Sequence, residues 1–338
     1  MKAKEYTFDA SYQPQVRTKT DTSRIMLDVI IALVPAMAVA VYQFGFRVLA
    51  LIVVSVLSCV FFEWGYRKLM KKPDSIGDLS ACVTGVLIAM VIPSGAPLWM
   101  PVVAAAFAMV VVKQLYGGIG KNFLNPALAS RAFLMASWPV IMTTWAVPKA
   151  LQGSVDATTM ATPLSYLKAG EALPDTLSTA NMLLGNVPGC IGEISAIALL
   201  IGGAYLLIRK VISWRIPAAF IGTVAVVTFI FPMHGASNFD WMLTNLLSGG
   251  LLLGAFFMAT DYSSSPVTLN GQLLYGFGCG ALTVLIRYFG GFPEGVSYAI
   301  LIMNLCAWAI DKGTRGRQFG VTKEDLKAAK KAAKEAKA

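Results

Sequence analysis

An all-α polytopic membrane protein with ten transmembrane helices is the fold class this sequence predicts, and three observations predict it. The chain is 56% hydrophobic and 14% charged over 338 residues, with a mean hydropathy of +0.64, which is more apolar surface than a water-soluble fold of that size can hide. Ten apolar runs approach the roughly 20 residues that a helix needs to cross a hydrocarbon core about 30 Å thick. Lysine and arginine are shared unevenly between alternate loops, as they are in an inserted chain.

The runs place spans near Met26 to Gln43, Arg47 to Tyr66, Leu79 to Pro93, Leu98 to Leu115 and Ala127 to Trp145, then Val187 to Ile208, Trp214 to Pro232, Leu243 to Thr260, Gln272 to Phe289 and Val296 to Asp311. Met1 to Arg24 is polar and mixed in charge, so no cleavable signal peptide is expected and the first span is expected to stay as an anchor. The expected organisation is an N-terminal segment 1–24, a five-helix half 25–145, a loop 146–186, a second five-helix half 187–311 and a basic tail 312–338.

Orientation follows from the positive charges. With the N-terminus inside, the cytoplasmic side receives Lys2, Lys4, Arg17, Lys19, Arg24, Arg67, Lys68, Lys71, Lys72, Lys113, Lys121, Arg209, Lys210, Arg215 and the Lys-rich tail. The other side keeps little more than Arg47, Lys149, Lys168 and Arg287. Both termini are therefore expected in the cytoplasm and the 146–186 loop outside. The net charge of +10 is a topology signal, and its distribution gives no reason to expect nucleic-acid binding. In the tail, Thr322 with Asp325 reads as a capping box ahead of a solvated Lys-Ala helix, with contact to anionic lipid or a partner subunit as the second reading.

Each half contains a small-residue apolar run ending in a Pro and Ser turn, followed by a Gly-Gly loop that opens its last helix. These are TGVLIAMVIPSGAP and YGGIGKNFLNPAL in the first half, GGLLLGAFFMATDYSSSP and YFGGFPEGVSYAIL in the second. Five spans per half make any such repeat inverted in the membrane, although Gly and Pro are common in membrane helices regardless. Charges within the spans are few and sit toward their ends: Asp28, Glu63, Arg131, Glu193, Asp261, Arg287 and Asp311. Cys59, Cys82, Cys190, Cys279 and Cys306 are scattered singly and read as small core residues, and His234 is the only histidine, a poor basis for an intrinsic zinc or haem site.

The loop contains VDATTMATPLSYL, in which Asp156, Thr159 and Thr162 put an acid and two hydroxyls at spacings of three. Threonine is a weak nucleophile without a neighbouring base, and no histidine is near, so a hydrolase triad is not supported. By composition alone the string could be an ordinary lid.

The DxxTxATPL pattern resembles the flavin-attachment motif of the family of membrane flavin subunits that includes RnfD and NqrB. In that family a flavin transferase esterifies the phosphate of FMN to the last threonine of the motif. The resemblance implies that Thr162 is the acceptor, with Asp156, Thr159 and Ala161 as the rest of the motif. Met160 stands where the family usually has glycine. Three further segments are similar to the family: YGGIGKNFLNPAL, GAFFMATDYSSSP with Tyr262 at a position usually held by proline, and GGFPEGVSYAILIMNL. Length and the short polar N-terminus are nearer to the Rnf branch.

The resemblance implies a urea-transporter-like fold and an electron-carrying subunit of a bacterial or archaeal cytoplasmic-membrane complex that links ferredoxin and NAD to movement of Na+ or H+. It implies covalent FMN, a second noncovalent flavin, riboflavin, near Asn122 and Asn125, and the flavin transferase and other members of the complex as partners. The two asparagines have a second reading, a loop that caps the helix opened by Pro126. No CxxCxxC run and no GxGxxG opening a strand and helix unit occur, so iron–sulfur centres and the NAD site are expected on other chains. A small-solute channel and a structural scaffold are the alternative functions. Neither uses VDATTMATPL.

Overall fold

The computed structural model describes residues 21–152, 159–171, 173–233 and 237–316, and the long apolar runs in it form helices, with no strand among the described residues. Asp156 and His234 lie outside the described residues, as do the N-terminal segment up to residue 20 and the capping box at Thr322. Helices α1 (Thr22–Phe44) and α2 (Phe46–Leu69) form a hairpin about Gly45, whose φ of 79° lies in the left-handed region that glycine adopts without a Cβ clash. α3 (Ser80–Met90), α4 (Trp99–Gln114) and α5 (Pro126–Ser137) follow, the second half of α4 widening into a π-helix. Two short helices, α6 (Pro163–Ala169) and α7 (Thr179–Leu184), lie in the segment between the halves. The remaining helices are α8 (Ala196–Ile208), α9 (Arg215–Ile230), α10 (Asn238–Leu247), α11 (Leu251–Met258), α12 (Leu269–Phe289) and α13 (Val296–Thr314).

Among the described residues, α1, α2 and α12 are each long and apolar enough to cross a membrane, and α10 with α11, bent by 58° at their junction, makes a fourth if taken as one broken span. Several expected spans are shorter apolar helices instead. α3 buries ten of its 11 residues and α11 buries every one of its side chains, so both lie inside the bundle. Phe46, Leu57, Phe61, Phe277 and Trp308 stand exposed, an exterior suited to lipid and costly in water.

The run from Val187 is expected to be helical, but helix begins only at Ala196. Residues 187–195 are instead a buried irregular strap, in which Gly192 N donates to Met90 O at 2.8 Å and Ile191 N to Ile92 O at 3.2 Å. The strap satisfies carbonyls at the end of α3, and that is what lets non-helical backbone sit inside the bundle. An apolar run of this length is the same to periodicity whether it coils or not.

Close approaches are made by small residues. α12 packs on α9 through Gly276 and Gly280, where an added Cβ would lie 2.8 Å from Ile216 O and 2.9 Å from Phe220 O. Ser55 on α2 donates to Gly85 O on α3 at 2.7 Å. Cys59, Cys190 and Cys279 are buried as expected of core residues, Cys82 is half-buried and Cys306 is exposed, and all five are free thiols.

Residues at the two ends of α1 make different contacts. Gln43 Nε2 donates to Asn186 Oδ1 at 2.6 Å and Ala150 N donates to Gln43 Oε1 at 3.3 Å, which fastens the 146–186 segment to the Phe44 end. At the other end Ser23 Oγ donates to Gly77 O.

Candidate functional site

Thr162 is the N-cap of α6, with extended backbone (φ −73°, ψ 157°) and Pro163 at the first helical position, where a missing N–H costs nothing. Its side chain is only 4% exposed, and its hydroxyl shares a 2.9 Å hydrogen bond with the Ser165 hydroxyl. Although it lies in the polar segment between the two halves, Thr162 is thus not on an exposed loop. Thr162 is buried, because the short α6 folds back onto the bundle through Leu164 and Lys168. Leu164 is buried against Gly249, and Lys168 Nζ donates to the carbonyls of Gly290 and Phe292. Thr159 is held by a bridge to Ala146, and Met160 N donates to Trp145 O at 3.1 Å.

Beside Thr162 lies a cavity of about 400 Å³ lined by Trp145, Thr159, Met160, Ala161, Ser165 and Glu294, among others. That volume is within the range of small-molecule and cofactor pockets, about 300–1,000 Å³. Thr159 and Ala161 thus share a wall with the hydroxyl partner of Thr162.

Glu294 is the residue that sequence reasoning passes over. It sits between Pro293 and Gly295 in the turn before α13, inside a motif recognised as a whole, and an acid in an otherwise apolar Gly-Pro turn is the available signal. It belongs to a buried charge cluster. Arg131 on α5 donates through Nη2 to Glu294 Oε2, and through Nη1 to Val91 O and Cys190 Sγ, both at 3.0 Å. Glu193 Oε1 accepts from Cys190 N at 2.8 Å. Arg287, at the end of α12, donates to Asn245 O at 2.6 Å and Ser248 O at 3.1 Å, capping the carbonyl end of α10 where the helix breaks. Arg131, Glu193 and Arg287, which the sequence puts at separate span ends, are therefore gathered in three dimensions. Cys190, Glu193 and Glu294 place their ligand atoms within 4.8 Å of one another, but the Arg131 guanidinium already supplies the positive charge between them.

The Asn122 and Asn125 pair lines a second cavity, of about 100 Å³, beside the Ile25 end of α1. Asn125 is the N-cap of α5: its Oδ1 accepts from Ala127 N at 3.0 Å and Leu128 N at 3.3 Å, and its Nδ2 donates to Met258 O at 3.2 Å. Its capping reading holds, and both the oxygen and the nitrogen of its amide have partners. Asn122 Oδ1 accepts from Ser263 Oγ at 2.9 Å, and Ser263 and Ser264 in turn donate to Asp261. The polar lining suits a heterocycle edge, but the room is smaller than the ~300 Å³ of a typical ligand pocket. Close by, Lys113 Nζ bonds Glu63 Oε2 at 3.0 Å and Ser80 Oγ at 2.6 Å, a buried pair joining α2, α3 and α4.

A model of the NQR2, RnfD, RnfE family matches residues 9–320. The chain belongs to that family. Among relatives, a subunit of the Na+-translocating ferredoxin:NAD+ oxidoreductase complex of Acetobacterium woodii is 50% identical over 322 residues, covering 94% of this chain and 97% of that protein. A subunit of the proton-translocating ferredoxin:NAD+ oxidoreductase complex of Clostridium ljungdahlii is 41% identical over 325 residues, with the same coverage of 94% and 97%. A subunit of an ion-translocating oxidoreductase complex of Shewanella amazonensis is 37% identical over 343 residues, covering 93% and 98%. As a member of the NQR2, RnfD, RnfE family the chain matches these relatives along almost its whole length, so both cavities and the charge cluster fall within the family region.

Proposed function

We propose that this chain is the membrane-embedded electron-carrying subunit of a multisubunit complex that couples ferredoxin- and NAD-linked electron transfer to movement of Na+ or H+, and that it bears FMN as a phosphoester on Thr162. The observation that carries this reading is the motif threonine beside a cavity of cofactor size, in a chain that matches members of ion-translocating oxidoreductase complexes along almost its whole length. A flavin bound there would supply the electron-transfer chemistry; the protein supplies position and surroundings.

Once Thr162 Oγ1 is esterified it can no longer donate, and Ser165 Oγ at 2.9 Å becomes the donor to the ester or phosphate oxygens. Trp145 and Phe292 offer apolar faces within the same cavity, and Met160 adds a flexible wall where a glycine would leave space. The Lys168 contacts fix the 290–295 turn against α6, so the attachment residue and Glu294 keep their relative positions. By the charge rule the Thr162 end faces outward and Asn122 the cytoplasm, with ten passes related as two inverted halves. The two short buried helices, α3 and α11, support the repeat.

On a denaturing gel under ultraviolet light, protein made with the flavin transferase should give a fluorescent band near 36.2 kDa, and Thr162→Val should abolish it. A dark wild-type band would remove the covalent-flavin reading and favour a solute channel. Riboflavin is proposed for the Asn122 cavity, where the apolar side chains of Ile25, Met26 and Phe256 must draw apart to admit the ring. Acid extraction of Thr162→Val protein should still release riboflavin; an empty extract overturns that second site.

A further inference from the structure

Glu294 faces two spaces. The residue lines the cavity beside Thr162, and it also lines a pocket of about 10 Å³ between the breaks that follow α3 and precede α11, which has room for no more than one water. Oε2 is held by Arg131, whereas the buried Oε1 has no hydrogen-bond partner in the protein. Such an oxygen is an acceptor with nothing to accept from, and a proton placed on it would turn it into a donor.

The groups that face Glu294 come from every element around it. Arg131 on α5 pairs with it, Glu193 and the Cys190 thiol approach from the 187–195 strap, and Arg287 stands behind at the end of α12. With both carboxylates ionised, two positive and two negative charges balance. Any further negative charge in the neighbouring cavity is then uncompensated in a site of low dielectric. The cheapest response available is protonation of the carboxylate that is already short of partners.

We infer that Glu294 is the proton acceptor that compensates negative charge arriving in the Thr162 cavity. This rests on the flavin reading of Thr162. A one-electron donor, such as a reduced iron–sulfur centre or flavin of a partner subunit, would supply one electron to a flavin held at Thr162. One proton from cavity water forms an O–H bond at Glu294 Oε1, and the net charge of the site is unchanged. When a one-electron acceptor removes the electron, that O–H bond breaks and the proton returns to water. Glu294 thereby becomes a positioning and charge-compensating residue that ties electron arrival to proton uptake.

The acid is poised for this. Burial first, and the Glu193 charge second, push its carboxyl up to about 7, against the pull of Arg131 and Arg287. Added negative charge raises it further, so reduction takes up a proton and oxidation releases one, in a window that opens near pH 7 and extends above it.

The test is a potentiometric titration of the bound flavin in the full-length flavinylated chain, from pH 6 to 9 in potassium buffer, for wild type, Glu294→Gln and Glu294→Asp. Above neutrality the wild-type potential should fall with pH more steeply than that of Glu294→Gln. The difference should approach tenfold in the redox equilibrium per pH unit, about 59 mV for a one-electron couple. Glu294→Asp should keep the steeper slope, which a merely structural role would not produce. Redox-difference infrared spectra should show a carboxylic acid band gained on reduction, absent in Glu294→Gln and present in Glu193→Gln. Equal slopes in wild type and Glu294→Gln, or a band that survives Glu294→Gln, would overturn the inference. A potential that follows sodium and ignores pH assigns a metal cation to the site and overturns it too.

If no fluorescent band forms, the flavin reading has failed first. Glu294 is then tested alone, by infrared pH titration of Thr162→Val protein with and without Glu294→Gln. A carboxylic acid band titrating near neutrality and lost in the double variant upholds the acid–base assignment, and its absence overturns it.

Discussion

Replacing Arg131 by methionine is expected to lower stability by about 3–5 kcal/mol, the usual consequence of leaving one side of a buried ion pair without its partner. Three acceptors lose their donor at once: Glu294 Oε2, Val91 O and Cys190 Sγ. Val91 O retains the Cys190 thiol at 3.3 Å, so the carboxylates carry most of the effect. The sign with pH follows from the same cluster. In the variant Glu294 must ionise without its partner or hold a proton, and holding it costs about 1.4 kcal/mol more for each unit that pH rises above its titration point. The deficit therefore grows from pH 6 to pH 8. Thermal melting of the full chain in detergent should show a lower Tm for Arg131→Met, lower again at pH 8, and partial recovery in Arg131→Met with Glu294→Gln. A Tm that moves equally at both pH values, or a double variant no better than the single, would show that charge is not what Arg131 balances.

The second large effect is expected at Lys113→Met, about 3 kcal/mol and at the lower end of the same range. Glu63 is fully buried, but it keeps hydrogen bonds from Gln114 Nε2 and Ser75 Oγ, both at 2.8 Å, and Arg67 Nε lies 3.8 Å away. Ser80 Oγ loses its 2.6 Å donor as well, which loosens α3 at its first turn. Glu63→Gln in the same background should restore most of the loss, because a neutral amide needs no cation. A double-mutant cycle read by thermal melting measures this. A coupling energy near zero would mean the pair is incidental to the packing of α2, α3 and α4.

These two centres, at Arg131 and Lys113, show where reading the chain as a string stops. Asp28 and Glu63 are legible as charges toward span ends, but their partners are not, because Arg209 lies 181 positions from Asp28 and Lys113 lies 50 from Glu63. Asn125 is legible either as a cap or as a ligand-binding amide, and its geometry as a cap is local, spanning only two and three residues. The strap at 187–195 passes for helix in the sequence because its backbone partners, Met90 and Ile92, are far away along the chain.

The apolar composition, the lysine and arginine asymmetry, the threonine motif and membership of the family are all decided by residue identity and short spacing, which need no folding to be seen. The burial of Thr162 against Ser165, the cavity it adjoins, and the meeting of Arg131, Glu193, Arg287 and Glu294 are decided by tertiary structure alone. The physical reason is range. Hydrophobicity and capping act between neighbours along the chain, whereas a buried charge is tolerated only where distant segments converge to compensate it, and that convergence exists only once the helices have packed.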